Sequence, residues 1–369
     1  MGINQSSATN QFFAIIPAGG VGSRLWPLSR ASAPKFLHDL TGSGQTLLQD
    51  TFDRLASITD NKMMVVTGDV HARLVAEQLP NLKPENLILE PSPKDSTAAI
   101  ALAAAVLHKR NPDVIVGSFA ADHVISDQKK FEAAITESIK IAATNKIVTI
   151  GIVPTEASVA FGYIKKGSAL KSANGYEVAE FVEKPEMKKA KKFVAGGKYL
   201  WNAGMFIAPA SLLLDVLSKT QPKLHSSIMK LAEHWDTEKQ DEMLHEIWPG
   251  LTRIAIDYSI AEPAAKMGLV AVVPAEFEWH DVGDFAAIAE LQSQGNKNNL
   301  AVLGSARVLS DSSSGILVSD TNRLVALIGL EDVIVVDTPD ALLVTTKQHA
   351  QKVKALVDAL KQTGHSDLL

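Results

Sequence analysis

An α/β fold, with a mostly parallel sheet flanked by helices and a smaller β segment behind it, is what this 369-residue sequence predicts. Three observations point there. Between Phe12 and about Gly151, short runs rich in Val and Ile alternate with amphipathic stretches, the texture of strands buried on both faces and joined by crossover helices. After the polar run SQGNKNN the texture changes to closely spaced short strands. The composition, 46% hydrophobic and 21% charged, suits a globular chain with a sizeable core, and the length suggests two or three domains at about 150 residues each.

Taken in order, the first strands are FFAIIPA, KMMVVTG, NLILE, DVIVGSFA and KIVTIG. Helices are predicted between them at Leu47 to Ile58, His71 to Leu79, Ser96 to Lys109 and Lys129 to Asn145, a doubly wound pattern. From Val159 to Pro274 the order is less regular, with strand-like YEVAEFVEKP and GMFIAP and helical stretches at Ser211 to Trp235 and Asp257 to Lys266. This region reads as an insertion completing a pocket over the sheet. A boundary is placed near Asn296 to Asn299, so that residues 1–11 form a disordered N-terminus, 12–295 the first domain and 296–369 a small β domain. Its strands are LAVLG, ARVLS, GILVS, RLVALIGL, DVIVVDT and ALLVTT, closed by a helix from about Lys347 to Lys361.

Composition also excludes. With 36 Lys and Arg against 41 Asp and Glu, the net charge is −5, and no dense basic run marks a nucleic-acid surface. No cysteine is present, which removes disulfides, thiolate metal sites and cysteine nucleophiles, and makes a reducing compartment the default. The start MGINQSSATNQ has no signal-peptide pattern, and no apolar run approaches the roughly 18 residues of a membrane span. A cytoplasmic protein with no membrane partner is expected.

Chemistry concentrates after the first strand. In FFAIIPAGGVGSRLWPLSRASAPKFL, Gly19, Gly20 and Gly22 let backbone N–H groups approach phosphate oxygens, although glycines there also make simple tight turns. Leu25 stands where a dinucleotide loop would have its third glycine, and no Gly-Lys-Ser/Thr ending marks a Walker loop. Arg24, Arg30 and Lys35 follow instead, cations suited to a polyphosphate leaving group, with Pro27 and Pro34 preventing one continuous helix. Asp122 closes VIVGSFAAD at the carboxyl end of a strand, where ligands bind in open α/β sheets; it reads equally as a Mg²⁺ ligand or a turn aspartate. Asp281, beside a glycine turn in WHDVGDF, reads alone as a turn residue, and the adjacent Glu183 and Lys184 as a solvated pair. His123 and His280 read as packing or hydrogen-bonding residues.

The string GGVGSRLWPLSR followed by PK, and later FVEKP, WNAGMF and WHDVG, resembles the sugar-1-phosphate nucleotidyltransferases, and within them the mannose-1-phosphate guanylyltransferases. The resemblance runs from about Phe12 to Lys361 with five motifs in the family's order. It implies a Rossmann-like nucleotidyltransferase domain, a β-helix-like C-terminal domain and a homodimer. The implied reaction is GTP plus mannose 1-phosphate giving GDP-mannose and pyrophosphate. Arg24, Lys35, Asp122 and Asp281 become the catalytic set, the two aspartates holding Mg²⁺. Ala18, Gly19, Gly20, Gly22, Ser23, Arg24, Ser96, Thr97 and Asp122 border the nucleotide, and Gly162, Glu183, Lys184 and Asn202 the sugar phosphate. The sequence departs from the family pattern at Phe36, at Lys94 and Asp95, and at Ala203, positions that bear on base and sugar contacts. After Thr346 one helix and a tail remain, so a single activity is expected. Transfer to another hexose 1-phosphate or from another nucleotide, and a non-catalytic sugar-nucleotide sensor, are the alternatives. A glycosyltransferase is disfavoured, since Asp122 is followed by His123 and Val124 and makes no Asp-x-Asp motif.

Overall fold

The structure, a computed structural model, describes residues 10–171, 173–293 and 300–369. The boundary expected near Asn296 to Asn299, and residues 1–9 of the expected disordered N-terminus, lie outside the described residues.

The strands of the first part are β1 (Phe12–Ala18), β2 (Met63–Gly68), β3 (Leu87–Glu90), β4 (Ile115–Ser118), β5 (His123–Ile125), β6 (Ile147–Ile152), β7 (Tyr163–Ala169), β8 (Tyr176–Val182), β9 (Tyr199–Pro209), β10 (Val270–Ala275) and β11 (Trp279–Asp281). Nine of them form one sheet in the order β3-β2-β1-β4-β9-β6-β10-β8-β7. The first four strands of that order run parallel, as their continuous apolar composition predicts. The rest is mixed. β9 enters antiparallel between β4 and β6, and β8 pairs antiparallel with β10. The region read as an insertion over the sheet therefore extends the sheet itself, through β7, β8 and β9.

Alternate side chains of β1 and β2 enter two cores, Ile15, Met64 and Val66 on one face and Ala14, Ile16, Met63 and Val65 on the other. Helices Leu47–Thr59 and Gln128–Ala142 cover the second face. The first face is covered by Asp95–Arg110, whose residues from Thr97 to Leu107 are all buried. That helix lies between the sheet and two further helices, Ala210–Thr220 and Pro222–His234, so its all-round apolar sequence matches a helix with no solvent face. The single helical stretch predicted from Ser211 to Trp235 is broken because Pro222 cannot continue the preceding ladder.

Strands β12 (Leu300–Gly304), β13 (Arg307–Asp311), β14 (Gly315–Ser319), β15 (Leu324–Ile328), β16 (Val333–Asp337) and β17 (Leu342–Thr346) follow. β12, β14 and β16 stack in parallel, as do β13 and β15, the repeat expected of a β-helix-like domain. The last helix, Val353–Gln362, is preceded by a 3-10 segment, Lys347–Lys352. Val318, Ile334, Val336, Val353 and Val357 pack in one core with Leu25, Trp26 and Leu28 of the glycine-loop segment.

Candidate active site

β1 ends at the buried Ala18, whose carbonyl accepts from Thr67 Oγ1 at 2.9 Å and so ties the loop to the neighbouring strand. Gly20 and Gly22 follow with φ of +83° and +73°, in the left-handed region where glycine avoids the Cβ penalty. At Gly22 a Cβ would also lie 2.8 Å from Lys35 Cβ, so the residue must be small for Lys35 to lie across the loop. Ser23 opens a 3-10 turn, Ser23–Leu25, in which Leu25 N donates to Gly22 O at 2.8 Å. Leu25, fully buried, is the packing residue where the dinucleotide pattern would have glycine.

Two carboxylates reach this loop from far along the chain. Asp122 precedes β5 and Asp281 ends β11; these strands pair antiparallel, with Asp281 opposite His123. Lys35 Nζ lies 2.7 Å from Asp122 Oδ2 and 3.6 Å from Asp281 Oδ1, and donates to Val282 O at 3.1 Å. Burial alone would lower the Lys35 pKa, but Asp122 and Asp281 outweigh it and hold the pKa above the ordinary lysine value. The same pairing keeps Asp122 below the ordinary carboxylate range against its own burial. Burial lowers the His123 pKa, and the ring packs edge-on against Trp279 at 5.3 Å, consistent with a packing role. Arg24 is exposed and has no hydrogen bond or ion pair among the described residues. Arg30 is different: it donates to Pro27 O at 2.7 Å and pairs with Asp340 at 2.7 Å. The reading of Arg30 as a cation for a leaving group is therefore corrected, since this guanidinium fastens the loop to the C-terminal strands. Trp26 does likewise, donating from Nε1 to Leu368 O at 2.7 Å.

A second cluster gathers Gly162, Glu183, Lys184 and Asn202. Asn202 N donates to Gly162 O at 2.8 Å, which binds β9 to the turn before β7. The Asn202 side chain accepts from Thr149 Oγ1 at 2.8 Å and donates to Asp257 Oδ1 at 2.9 Å. Glu183 pairs with Lys184 Nζ through Oε1 at 2.8 Å, while its Oε2 is buried with no hydrogen-bond partner among the described residues. A Cβ at Gly162 would collide with that Oε2, so this glycine leaves room for the carboxylate. Lys184 has a φ of +44°, half its side chain is exposed, and Glu183 helps raise its pKa against the lowering effect of burial. Asp257, which sequence reasoning missed, is pushed up to about 6 by burial and by the charge of Glu183. Nothing in a lone aspartate next to a tyrosine announces such a position.

Ser96 and Thr97, expected beside the nucleotide, point their polar groups into the protein. Ser96 Oγ accepts from Ile256 N at 2.9 Å, and the fully buried Thr97 bonds Ser259 Oγ at 2.8 Å and donates from its backbone N to Ile254 O at 3.2 Å. Both hold the 254–259 segment to the start of helix Asp95–Arg110. Thr97→Val should accordingly lower stability in urea by about 1–3 kcal/mol, because Ser259 loses its buried partner, with the KM for nucleotide unchanged. A raised KM at unaltered stability would return the Thr97 hydroxyl to the ligand.

Residues 13–298 match the nucleotidyl transferase family, and residues 306–360 the mannose-phosphate isomerase/GMP-like β-helix domain. The mannose-1-phosphate guanylyltransferase RfbM of Salmonella typhimurium strain LT2 is 35% identical over 361 residues, covering 96% of this chain and 74% of that protein. The mannose-1-phosphate guanylyltransferase of Escherichia coli K12 is 34% identical over 371 residues, covering 98% of this chain and 76% of that protein. A crystal structure from Thermus thermophilus, described as a mannose-1-phosphate geranyltransferase, superposes with a TM-score of 0.84 at 28% identity, covering 95% of this chain and 99% of that one. No helix among the described residues is long and apolar enough to cross a membrane. With a nucleotidyl transferase match over most of its length, a β-helix match behind it and relatives of this identity and coverage, the chain belongs to the nucleotidyl transferase family, in its mannose-1-phosphate guanylyltransferase branch.

Proposed function

We propose that this chain transfers GMP from GTP to mannose 1-phosphate, releasing GDP-mannose and pyrophosphate. The observation that carries this reading is the meeting of Asp122, Asp281 and Lys35 beside the glycine loop. A phosphate monoester with a second pKa near 6 is already ionised at neutral pH, so its oxygen attacks the α-phosphorus without a protein nucleophile or base. What the protein supplies is in-line placement and positive charge. Backbone N–H groups at Gly19, Gly20, Gly22 and Ser23, next to Ala18, face the nucleotide phosphates. Lys35 stays an ammonium well above neutral pH, and Arg24, uncommitted among the described residues, is assigned to the departing pyrophosphate.

A divalent cation, Mg²⁺ in this proposal, fits the same place. Asp122 and Asp281 already hold one positive charge between them, and two carboxylates suffice for an ion that completes its shell with phosphate and water. Asp122 and Asp281 would hold it, and once bound it neutralises charge on the reacting phosphates.

Glu183, Lys184, Asn202 and Gly162 are assigned to the sugar phosphate. Glu183 Oε2, buried without a hydrogen-bond partner among the described residues, suits a sugar hydroxyl that would satisfy it. Mannose and glucose differ only in the direction of the 2-hydroxyl, and a pocket separates them by pairing that group in one and stranding a polar group in the other. Glu183→Gln should therefore reduce selection for mannose 1-phosphate over glucose 1-phosphate by about 1–3 kcal/mol, read as the ratio of kcat/KM values. An unchanged ratio would move discrimination elsewhere in the pocket.

A cytoplasmic setting belongs to the same proposal, since GTP is supplied there. So does a homodimer, supported by the exposed apolar side chains of Leu309, Leu324, Ile328, Leu342 and Val344 on the C-terminal strands. The reaction is tested by mixing protein with GTP, Mg²⁺ and mannose 1-phosphate and measuring pyrophosphate. Release that needs all three components supports transfer. Binding without turnover would make the chain a sensor, and release independent of sugar would make it a hydrolase.

A further inference from the structure

We infer that Asp257 is a positioning residue for the sugar phosphate: by accepting one N–H of the Asn202 amide it holds that amide in a single orientation and leaves the other N–H for the ligand. This rests on the reading above that Asn202 meets the sugar phosphate. Asn202 stands where β9 leaves its regular ladder with β6. Thr149 faces Phe206 and Gly151 faces Asn202, so residues 203–205 of β9 together oppose Ile150. Gly204, inside that bulge, has a φ of +69° and turns its N–H back onto Asn202 Oδ1 at 3.1 Å. A bulge of this kind re-aims a side chain out of the pleat.

The amide is held at both ends. Oδ1 accepts from Gly204 N and, at 2.8 Å, from the buried Thr149 Oγ1, which uses both of its lone pairs. Nδ2 donates to Asp257 Oδ1 at 2.9 Å and keeps its second N–H without a partner among the described residues. Turning the amide by half a revolution would set Oδ1 against the Asp257 carboxylate and Nδ2 against the Gly204 N–H. An ionised Asp257, which offers acceptors only, therefore selects one orientation. Asn202 also borders the space left open by Gly162, where a Cβ would lie 3.3 Å from Asn202 Cβ and would collide with Glu183 Oε2.

The protein keeps Asp257 here against its own stability. Burial and the charge of Glu183 push its pKa up to about 6, so above that pH Asp257 and Glu183 share the pocket as carboxylates with the Lys184 ammonium. A side chain present only to fill space would be better uncharged. Its place is fixed from both sides of the chain. Ile256 N donates to Ser96 Oγ at 2.9 Å, Ser259 Oγ meets Thr97 Oγ1 at 2.8 Å, and Asp257 itself opens a π-helical turn, Asp257–Ala261. The group that gains from this placement is the Asn202 amide.

The test is calorimetry of GDP and of GDP-mannose with the full chain, which needs no turnover, read as the ratio of the two Kd values. Asn202→Ala and Asp257→Ala are each expected to lower the sugar's gain in affinity about three- to tenfold, the scale of one hydrogen bond, and the double variant no further than Asn202→Ala. Asp257→Asn keeps an oxygen within reach of Nδ2 and is expected to restore most of the loss. It should also keep its Tm at neutral pH, because a carboxylate whose pKa rises on folding costs stability once ionised. In turnover, the loss in Asp257→Ala falls on KM for mannose 1-phosphate more than on kcat. Should Asp257→Ala fail to fold, Asp257→Ser, too short to reach Asn202, carries the same comparison. Additive losses in the double variant, an Asp257→Asn as weak as Asp257→Ala, or a lowered Tm with an unchanged ratio overturns the inference. A ratio that falls in Asn202→Ala and not in Asp257→Ala overturns this inference alone. A ratio indifferent to Asn202→Ala overturns the assignment of Asn202 to the sugar phosphate, and this inference with it.

Discussion

Asp122→Asn and Asp281→Asn should each lower turnover by at least about 10²-fold, the scale of losing one charged group aimed at a developing charge, with the fold retained. Both replacements are nearly isosteric, and the side chains of Asp122 and Asp281 are 19% and 40% exposed. The two should differ in one respect. Asp122 is the nearer and less exposed partner of Lys35, at 2.7 Å against 3.6 Å for Asp281. Removing its charge leaves the burial of Lys35 less opposed, so the Lys35 pKa falls and the alkaline limb of the pH–rate profile moves to lower pH more in Asp122→Asn than in Asp281→Asn. The sign also fixes stability. A lysine whose pKa is raised on folding contributes stability below its unfolded value and loses it as pH rises through the folded one. A carboxylate held low contributes above its unfolded value and loses that stability as pH falls. Rates and Mg²⁺ titrations of both variants check the first claim, and near-normal turnover in Asp281→Asn would remove that residue from the site.

Arg24→Ala should depress turnover by about 10²-fold or more, on the same electrostatic grounds, while GDP-mannose affinity changes little. Arg24 has no hydrogen-bond or ion-pair partner within the described residues, so no such contact is lost with it. Assigned to the departing β- and γ-phosphates of GTP, it has nothing to hold in a product that has lost both, which separates kcat from product binding. Parallel losses in turnover and in GDP-mannose binding, the latter by calorimetry, would contradict this division.

Strands β1 to β4 are legible in the sequence because buried parallel strands are written as uninterrupted Val and Ile runs between helical stretches. The antiparallel entry of β9 is not, since strand direction depends on connections that a local pattern does not encode. In the site, the glycine loop and the two aspartates are legible through residue type and motif order. Arg30 misleads because its partner, Asp340, lies 310 residues away in sequence. The hydrogen bonds of Ser96 and Thr97 are not legible for a related reason: the groups their hydroxyls meet, Ile256 and Ser259, arrive from a different segment. Asp257 escapes notice because the burial that shifts a carboxylate pKa is a tertiary property.

The claim on which the rest depends is that the sugar phosphate attacks the α-phosphorus directly. With GTP made chiral at that phosphorus by sulfur and an oxygen isotope, one in-line displacement gives a product of inverted configuration. Inversion in the GDP-mannose analogue is the expected result. Retention would mean two displacements through a covalent intermediate on a protein side chain, and would contradict it.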